Sequence, residues 1–552
     1  MASTPGDNRL DHCIQCGSCG GSCPSGPEMA HTPRRLFALI RAGERDAVLR
    51  SNAPWYCVSC YYCTVRCPQE VHITDVMYTL KSMAIRAGLF HDAALPDFSE
   101  TFVDYVEKYG RSFELGIATR FNLRHHPLSL AGMAPMGLHA QARPHGPDAP
   151  PHRWHGPAHG HSGEGQGSGR GAAMKALFYP GCSMQKNARP YLDSLLAIRE
   201  DIDLELQEIE DWNCCGATEY MSVHRIAAHS LVGRNLALAR DQARDTDLLT
   251  AGCSACYLNL AKTDTQMRED ARLKATVNEA LAAGGLEYQP GSMKVRHLLD
   301  LVCHDIGYEA VKSRVVKPLH GLKVAAYYGC QVVRPDYDGR WDNHEHPTSM
   351  DKLLAALGAE PVDWALKTQC CGGHMTVIGP EVAFGLIRRL IHGAQEAGAD
   401  LVATLCPMCQ LNLDAYQVEM NKHFHTDYRV PVLYFTQLMG LAFGKQAKDL
   451  GIGKEFVAAA PALAKIQSEA PKVAETKRKR RPKPGDALPM PGMELAMRTP
   501  ISSATITPLW KRGAGGIHQP TFHALPALNP PQPPFFKGGS ACGGMNEVRY
   551  GI

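Results

Sequence analysis

The sequence of 552 residues has neither a long hydrophobic run nor an excess of charge of either sign. No segment approaches the roughly 18 consecutive apolar residues that a membrane-spanning helix needs. The start, MASTPGDNRL, lacks the basic residues and the apolar segment of an export signal. With 58 basic and 55 acidic side chains the formal charge is only +3, which argues against a dedicated nucleic-acid binder. We therefore expect a cytoplasmic protein that binds no nucleic acid.

Cysteine is what this sequence has in quantity, with 20 residues that mostly lie two or three positions apart. A disulfide scaffold would be denser in cysteine and would be exported, so the clustering indicates metal binding. At roughly 150 residues per domain, the chain has room for three or four domains.

The first eight cysteines form two arrays of identical spacing, CxxCxxCxxxCP, joined by a helical-looking stretch at 33–50. This is the spacing of bacterial ferredoxins, in which three cysteines of a run bind one [4Fe–4S] cluster and the fourth reaches the other cluster. Zinc is the weaker alternative, because zinc sites favour pairs of CxxC. The crossed pattern predicts two cubane clusters, one on Cys13, Cys16, Cys19 and Cys67 and one on Cys57, Cys60, Cys63 and Cys23.

From residue 173 onward, a pattern of short apolar strand, turn and amphipathic helix occurs twice. Strand-like runs that end in cysteines predict α/β units with a parallel or mixed sheet, whose loops at the strand ends carry the chemistry. In each half a single cysteine is followed by an adjacent pair before glycine, here called CCG, and then by CxxC. These ten candidate catalytic cysteines are Cys182, Cys214, Cys215, Cys253 and Cys256 in the first half, and Cys330, Cys370, Cys371, Cys406 and Cys409 in the second.

Composition divides the chain further. The six linker histidines and the basic run at 477–483 fit solvated, unfolded chain better than a metal or lipid site. We therefore expect a mainly α-helical ferredoxin-like domain at 1–135, a Gly/Pro/His-rich linker at 136–172, CCG domains at 173–318 and 319–450, and a mostly disordered tail at 451–552.

Five soft ligands in each half exceed what one zinc ion or one cubane cluster requires. At these residues the chain resembles the heterodisulfide reductase family, with 1–135 similar to its C subunit and 173–440 similar to its B subunit. The resemblance implies that the ten CCG cysteines hold two noncubane [4Fe–4S] clusters, at which a disulfide is cleaved. Zinc stays an alternative for the second CCG domain.

The fused order also resembles the D subunit of the membrane-linked reductase and, more distantly, the iron–sulfur subunit of glycolate oxidase. The stretch 54–77 resembles the electron-transfer subunit of a quinone-interacting membrane-bound oxidoreductase of sulfur-metabolising bacteria. These likenesses imply a flavin-containing A-like partner subunit, contact with a quinone-interacting complex, and a peripheral position at the inner membrane through a partner.

The leading hypothesis is an oxidoreductase that passes electrons between a flavoprotein partner, the cubane clusters and the CCG clusters. There a small disulfide is reduced, or thiols are oxidised, in energy or sulfur metabolism. The rival is an electron relay in a quinone-linked complex with no disulfide chemistry of its own, and a zinc-stabilised scaffold is the third hypothesis. Lys186, Arg189 and Arg334 could meet an anionic substrate, but we expect them to be exposed surface charges. Cys303 is expected to be a core thiol and Cys542 lies in the tail.

Overall fold

The chain is represented by a computed structural model that describes residues 8–112, 114–125, 173–335, 337 and 342–467. The expected linker at 136–172 and the chain from residue 468 onward, with Cys542, lie outside the described residues. Among the helices that are described, none combines the length and the apolar character needed to cross a bilayer.

The N-terminal part is built from helices, and its described residues contain no β-strand. The helical stretch predicted at 33–50 is divided in two, because Gly43 turns the chain with a φ of 78°. Leu36 and Phe37 bury their side chains on the inner side of the first piece. The α-helices of this part are Ser18–Ser22, Pro33–Arg41, Arg45–Leu49, Tyr62–Val65, Ile73–Ala87, Ala94–Tyr109 and Glu114–His125, with 3-10 turns at Leu10–His12 and Gly26–Glu28.

Two four-stranded sheets follow, and every strand pairing within them is parallel. Their strands are β1 (Met174–Tyr179), β2 (Leu204–Glu208), β3 (Leu248–Ala251) and β4 (Lys294–His297), then β5 (Lys323–Tyr327), β6 (Glu360–Pro361), β7 (Leu401–Thr404) and β8 (Val432–Tyr434). The strand orders are β2-β1-β3-β4 and β6-β5-β7-β8, so the two halves share one topology, as the sequence repeat predicts.

Helices connect the strands of each half and cover the sheets. The long helix expected near residues 382–398 is present as Pro380–Glu396, which begins at a proline in its first turn. The first half has Gly181–Gln185, Arg189–Ile198, Glu219–Val223, Arg225–Gln242, Ser254–Glu269, Ala271–Ala282, Leu298–Asp300, the π-helix Leu301–Gly307, and Tyr308–Ser313. The second half has Ser349–Ala356, Met375–Ile378, Pro380–Glu396, Pro407–Ala415, Gln417–Phe424, Phe435–Ala442 and Ala460–Leu463.

One hydrophobic core runs through both CCG domains, and a smaller core lies among the ferredoxin-like arrays. The helix Ala94–Tyr109 belongs by sequence to the expected domain 1–135, yet its Phe98 and Phe102 are part of the CCG core. The two halves are joined by helix packing, in which the Tyr191 ring stacks on the Tyr434 ring at 4.4 Å. The N-terminal part and both CCG domains therefore pack together.

Residues 451–467, assigned from their sequence to the tail, pack on the second CCG domain. The backbone N–H groups of Phe456 and Val457 donate to the carboxylate of Asp414 at 3.0 and 2.9 Å. Gln467 pairs with His320 in an isolated antiparallel bridge. The second CCG domain therefore extends past residue 450. Its contacts with this segment join residues far apart in the sequence, so they leave no local pattern from which the boundary could be predicted.

A buried ion pair ties the ferredoxin-like part to the first CCG domain. The Lys262 ammonium of helix Ser254–Glu269 contacts the Asp75 carboxylate of helix Ile73–Ala87, and it donates to the Tyr61 hydroxyl at 3.1 Å. Burial alone would raise the pKa of Asp75, but the charges of Lys262 and Arg225, with the hydrogen bond from Lys262, together hold that pKa below its usual value. Both groups therefore remain charged inside the joint between the two parts.

Replacing Lys262 by Met should lower the free energy of unfolding by about 3–5 kcal/mol, because it leaves the Asp75 carboxylate buried without its cation. Urea unfolding followed by circular dichroism measures the change. The control is Lys175→Met, which removes an exposed ion pair with Asp245 and should lower the free energy of unfolding far less, because solvent already screens that pair. Equal effects of the two substitutions would contradict a structural role for the buried pair.

Candidate functional site

The two ferredoxin-like arrays have the same loop shape. In each loop the backbone is left-handed at two equivalent positions, Gln15 and Gly17 in the first array and Ser59 and Tyr61 in the second, with φ between 53° and 87°. These turns curve three successive cysteines around one point. Three residues other than glycine hold this strained conformation in the two loops, which is a common feature of functional loops.

The cysteines of the arrays are grouped across the sequence. Cys67 of the second array lies with Cys13, Cys16 and Cys19 around one small cavity. Cys23 of the first array neighbours Cys57, and the pKa of Cys23 rises to about 11 because its thiol is buried and close to that thiol. The crossed assignment of the eight cysteines to two clusters stays a prediction, and it is this grouping of the thiols that a test must address.

In both CCG domains the cysteines follow three neighbouring strands. In the first, Cys182 follows β1, the pair Cys214–Cys215 lies in the loop after β2, and Cys253 follows β3. Since the carboxyl ends of parallel strands meet at one edge of a sheet, these loops bring the thiols together. The Sγ atoms of Cys215 and Cys256 are 3.4 Å apart.

The second CCG domain repeats this arrangement after β5, β6 and β7. A tyrosine at the end of the first strand in each half holds the CCG loop, since Tyr179 donates to the Asn213 carbonyl and Tyr327 to the Gln369 carbonyl, both at 2.7 Å. All ten CCG cysteines are buried, and each cysteine of the described residues is free of disulfide bonds.

The second cysteine of each adjacent pair, Cys215 or Cys371, has similar electrostatic surroundings in the two sites. Hydrogen bonds from Cys214 and Cys256 lower the pKa of Cys215 to about 5, and equivalent bonds from Cys370 and Cys409 lower the pKa of Cys371 well below its usual value. In each adjacent pair, the surroundings therefore favour the thiolate form of the second cysteine.

Two glycines that the cysteine pattern did not single out shape these sites. Gly181 and Gly329 precede the first cysteine of each half and have φ of 70° and 71°. A Cβ at Gly181 would lie 2.8 Å from the Sγ of Cys256, and one at Gly329 would lie 2.9 Å from the Sγ of Cys409. Only glycine can both adopt this left-handed backbone and leave space for the neighbouring sulfur. Each glycine precedes a cysteine in the repeat, and this recurrence is the sequence feature that could have identified them.

Two asparagines were missed in the same way. Asn259 donates from its Nδ2 to the carbonyls of Cys215 and Ala217, at 2.9 and 2.7 Å. Asn412, at the equivalent position of the second half, donates to the carbonyl of Gly373 at 2.9 Å and contacts the Cys371 Sγ at 3.5 Å. Each asparagine therefore fixes the CCG loop from the helix that carries CxxC.

The two CCG sites meet each other. The thiols of Cys253 and Cys406 lie near each other although the two belong to different halves, and each perturbs the pKa of the other. Beside them lie the hydroxyls of Tyr191 and Tyr434, which are buried and have no hydrogen-bond partner among the described residues. The junction therefore combines two thiols and two unpaired hydroxyl donors in one place.

The second ferredoxin-like array lies against the second CCG site. Val58 and Cys60 share a small buried cluster with Cys330 and Cys370. The side chain of Gln331 donates to the Ser59 carbonyl at 3.2 Å and fixes this contact. The array at 57–67 is thus the part of the ferredoxin-like region that touches the second CCG site directly.

The cations that follow the first cysteines have different positions. Lys186 and Arg189 are exposed, as expected, and Arg189 pairs with Asp193 at 2.6 Å. The expectation of an exposed Arg334 is wrong, because its guanidinium lies over the Tyr62 ring at 4.4 Å and its side chain is fully buried. Cys303 is a buried core thiol whose Sγ lies 3.6 Å from the Ser349 carbonyl.

The donor sets fit iron–sulfur clusters. Thiols alone converge at each site, most of them buried and none paired in a disulfide, which is the ligand chemistry that such clusters require. Among the described residues, no group of three or more His, Cys, Asp or Glu side chains could hold a single metal ion. The fit therefore rests on the donor type and on the shared location of the thiols.

Comparison with known proteins identifies these units. Residues 9–71 match the model of the 4Fe-4S dicluster domain, and residues 176–261 and 324–414 match the cysteine-rich domain called CCG. The B subunit of the ferredoxin/F(420)H(2)-dependent CoB-CoM heterodisulfide reductase of Methanosarcina acetivorans is 33% identical over 48% of this chain and 88% of its own length. The chain belongs to the heterodisulfide reductase family.

Further relatives refine this relationship. The 8-methylmenaquinol:fumarate reductase membrane anchor subunit of Wolinella succinogenes is 37% identical over 51% of this chain and 96% of its own length. The C subunit of the H(2):CoB-CoM heterodisulfide,ferredoxin reductase of Methanothermobacter thermautotrophicus is 38% identical over 16% of this chain. The chain covers 48% of that relative. The resemblance to the C and B subunits that the sequence predicts is confirmed.

Replacing Cys67 by Ser should damage the cluster of Cys13, Cys16 and Cys19, because Cys67 lies with those three thiols. Anaerobic EPR of the reduced protein, together with iron analysis, measures the loss. The matched control is Cys23→Ser, which should instead damage the cluster of the Cys57 array. Loss of the same signal in both variants would contradict the crossed grouping.

Proposed function

We propose that this chain is an oxidoreductase subunit that passes electrons between a flavoprotein partner and a disulfide/thiol couple at the junction of its two CCG sites. The observation that carries the proposal is the contact between Cys253 and Cys406, which brings two five-cysteine sites to one place. Cleaving one disulfide consumes two electrons and two protons and releases two thiols. Two adjacent sites that each supply one electron would match that requirement.

The proposed ligand sets follow the grouping of the thiols. Cys13, Cys16, Cys19 and Cys67 would hold one cubane [4Fe–4S] cluster, and Cys57, Cys60, Cys63 and Cys23 the other. The ten CCG cysteines would hold two noncubane [4Fe–4S] clusters. When bound, these groups supply one-electron redox steps and a surface on which sulfur can be held. Zinc in the second CCG site is the alternative.

The packing supports an order of electron flow. The array at 57–67 touches the second CCG site through Cys60 and Cys330, whereas the array at 13–19 neighbours the other array. Electrons would pass from the Cys13 cluster to the Cys57 cluster, then to the second CCG site, and from there to the junction. The flow reverses if thiols are oxidised.

The residues at the junction would serve the sulfur chemistry. Burial raises the pKa values of Tyr191 and Tyr434, so both phenols keep their protons. Their unpaired hydroxyls would donate hydrogen bonds to a product thiolate. His297 is not available for this role, because its Nε2 is paired with the Gly252 carbonyl at 3.1 Å, and burial lowers its pKa to about 4.

Cys215→Ser and Cys371→Ser test the proposal. Each should leave the two cubane EPR signals intact yet lower thiol-forming turnover at least about tenfold, because both CCG sites contribute to one reaction. Iron analysis of the wild type should give about sixteen iron atoms per chain if four four-iron clusters are bound. About eight iron atoms with stoichiometric zinc, or unchanged turnover in either variant, would contradict the proposal.

A cavity favours the electron relay as a second candidate function. It has a volume of about 820 Å³ and lies between the helices Ile73–Ala87 and Arg225–Gln242, and its mixed lining includes three arginines, Arg86, Arg225 and Arg234, beside apolar side chains. Tyr78 borders it and belongs to the helix Ile73–Ala87, which follows the second array in the sequence. The volume is that of a small-molecule site, and a menaquinol is named for one relative. A relay would reoxidise menaquinol analogues while forming no thiol from any disulfide.

The location proposed for this chain is cytoplasmic, with peripheral attachment to the inner membrane through a partner. The likeness to a membrane anchor subunit supports a membrane-linked complex. The flavin would come from an A-like partner, because the sequence contains no recognisable flavin motif.

A further inference from the structure

Arg334 is an unusual cation, because its side chain is fully buried without a carboxylate partner among the described residues. Its Nη2 donates to the carbonyl of Thr368, whereas Nε and Nη1 have no hydrogen-bond partner. A buried guanidinium with two unused N–H groups is costly unless those groups meet an anion. The arrangement therefore calls for a negative group that the described residues do not place at hydrogen-bond distance from Nε and Nη1.

The surroundings of Arg334 identify where that anion would lie. The guanidinium rests 4.4 Å above the ring of Tyr62, which stands between Cys60 and Cys63 in the second ferredoxin-like array. Thr368 lies just before the adjacent cysteines Cys370 and Cys371. Cys60 itself shares a small buried cluster with Cys330 and Cys370. Arg334 thus occupies the contact between the second array and the second CCG site.

We infer that Arg334 is a positioning residue that directs its two free N–H groups at the sulfur of the cluster held by Cys57, Cys60, Cys63 and Cys23. The inference rests on the ligand sets proposed above. One-electron reduction adds one negative charge to a cluster, and a desolvated cation at short range stabilises the reduced form. Arg334 therefore raises the reduction potential of this cluster relative to its neighbour.

This role deepens the proposed electron path. A higher potential at the Cys57 cluster favours electron transfer onto it from the Cys13 cluster, which lacks an equivalent buried arginine among the described residues. Electrons then collect at the cluster that touches Cys330. The buried cation thus sets the direction of electron transfer between two clusters whose loops are otherwise alike in sequence spacing and backbone shape.

Arg66 offers a matched control, because it lies over the same Tyr62 ring at 4.1 Å. Unlike Arg334, its side chain is 39% exposed and it pairs with Glu345 at 2.5 Å. Solvent and the carboxylate screen its charge. Arg66→Gln therefore removes a cation from the same ring without removing the buried one.

The test is an anaerobic redox titration of the full-length protein followed by EPR, with iron analysis of every sample. The signal lost in Cys67→Ser identifies the Cys13 cluster, so the Cys57 cluster is followed separately. Arg334→Gln should lower the reduced-to-oxidised ratio of the Cys57 cluster at least tenfold at a fixed potential, which is a shift of 59 mV for a one-electron couple. The Cys13 cluster should be unchanged, and Arg66→Gln should change neither ratio more than about twofold, because its charge is already screened.

Arg334→Lys keeps the test decisive if the glutamine variant loses iron. Lysine retains the charge but cannot satisfy the Thr368 carbonyl and two sulfur contacts together, so a smaller downward shift is expected. An unchanged potential in an iron-replete variant, or equal shifts in Arg334→Gln and Arg66→Gln, would overturn the inference. Absence of a cubane signal from the wild type would instead contradict the proposed ligand sets.

Discussion

The parallel order of the strands is the constraint on which the rest of this structure depends. Because β1, β2 and β3 all end at one edge, cysteines distant in sequence reach one place, and the second sheet repeats the arrangement with β5, β6 and β7. Close approach of the thiols then requires a residue without a side chain, which explains Gly181 and Gly329. The CCG loops are held by tyrosine and asparagine, whose hydrogen bonds to loop carbonyls fix the positions of the thiols.

Direct contacts also join the ferredoxin-like part and the two CCG domains to one another. The Lys262–Asp75 pair fixes the ferredoxin-like helices to the first CCG domain, and the Cys60–Cys330 contact links the second array to the second CCG domain. The stacked tyrosines close the interface between the halves. These buried contacts fix the distances between the cysteine sites, which suits the electron transfer proposed above.

Much of this organisation could be predicted from the sequence, because cysteine spacing and the repeat are local patterns. The two sheets, the cysteines at the strand ends and the family membership all followed from them. Pairing between distant residues did not. Nothing near Arg334 in the sequence indicates Tyr62 as its partner, and an arginine near a turn is usually exposed. The packing of residues 451–467 and the contact between Cys253 and Cys406 are long-range in the same sense, whereas Asn259 and Asn412 were visible in the repeat and were overlooked.

The proposal that the two CCG sites act on one substrate at their junction can be tested by anaerobic titration of the reduced protein with a small disulfide, with released thiol and the EPR signals of both CCG sites measured in the same samples. We expect one equivalent of disulfide per chain to change both signals together and to release two thiols. Two equivalents that change the signals one after the other, or a change confined to a single site, would contradict it.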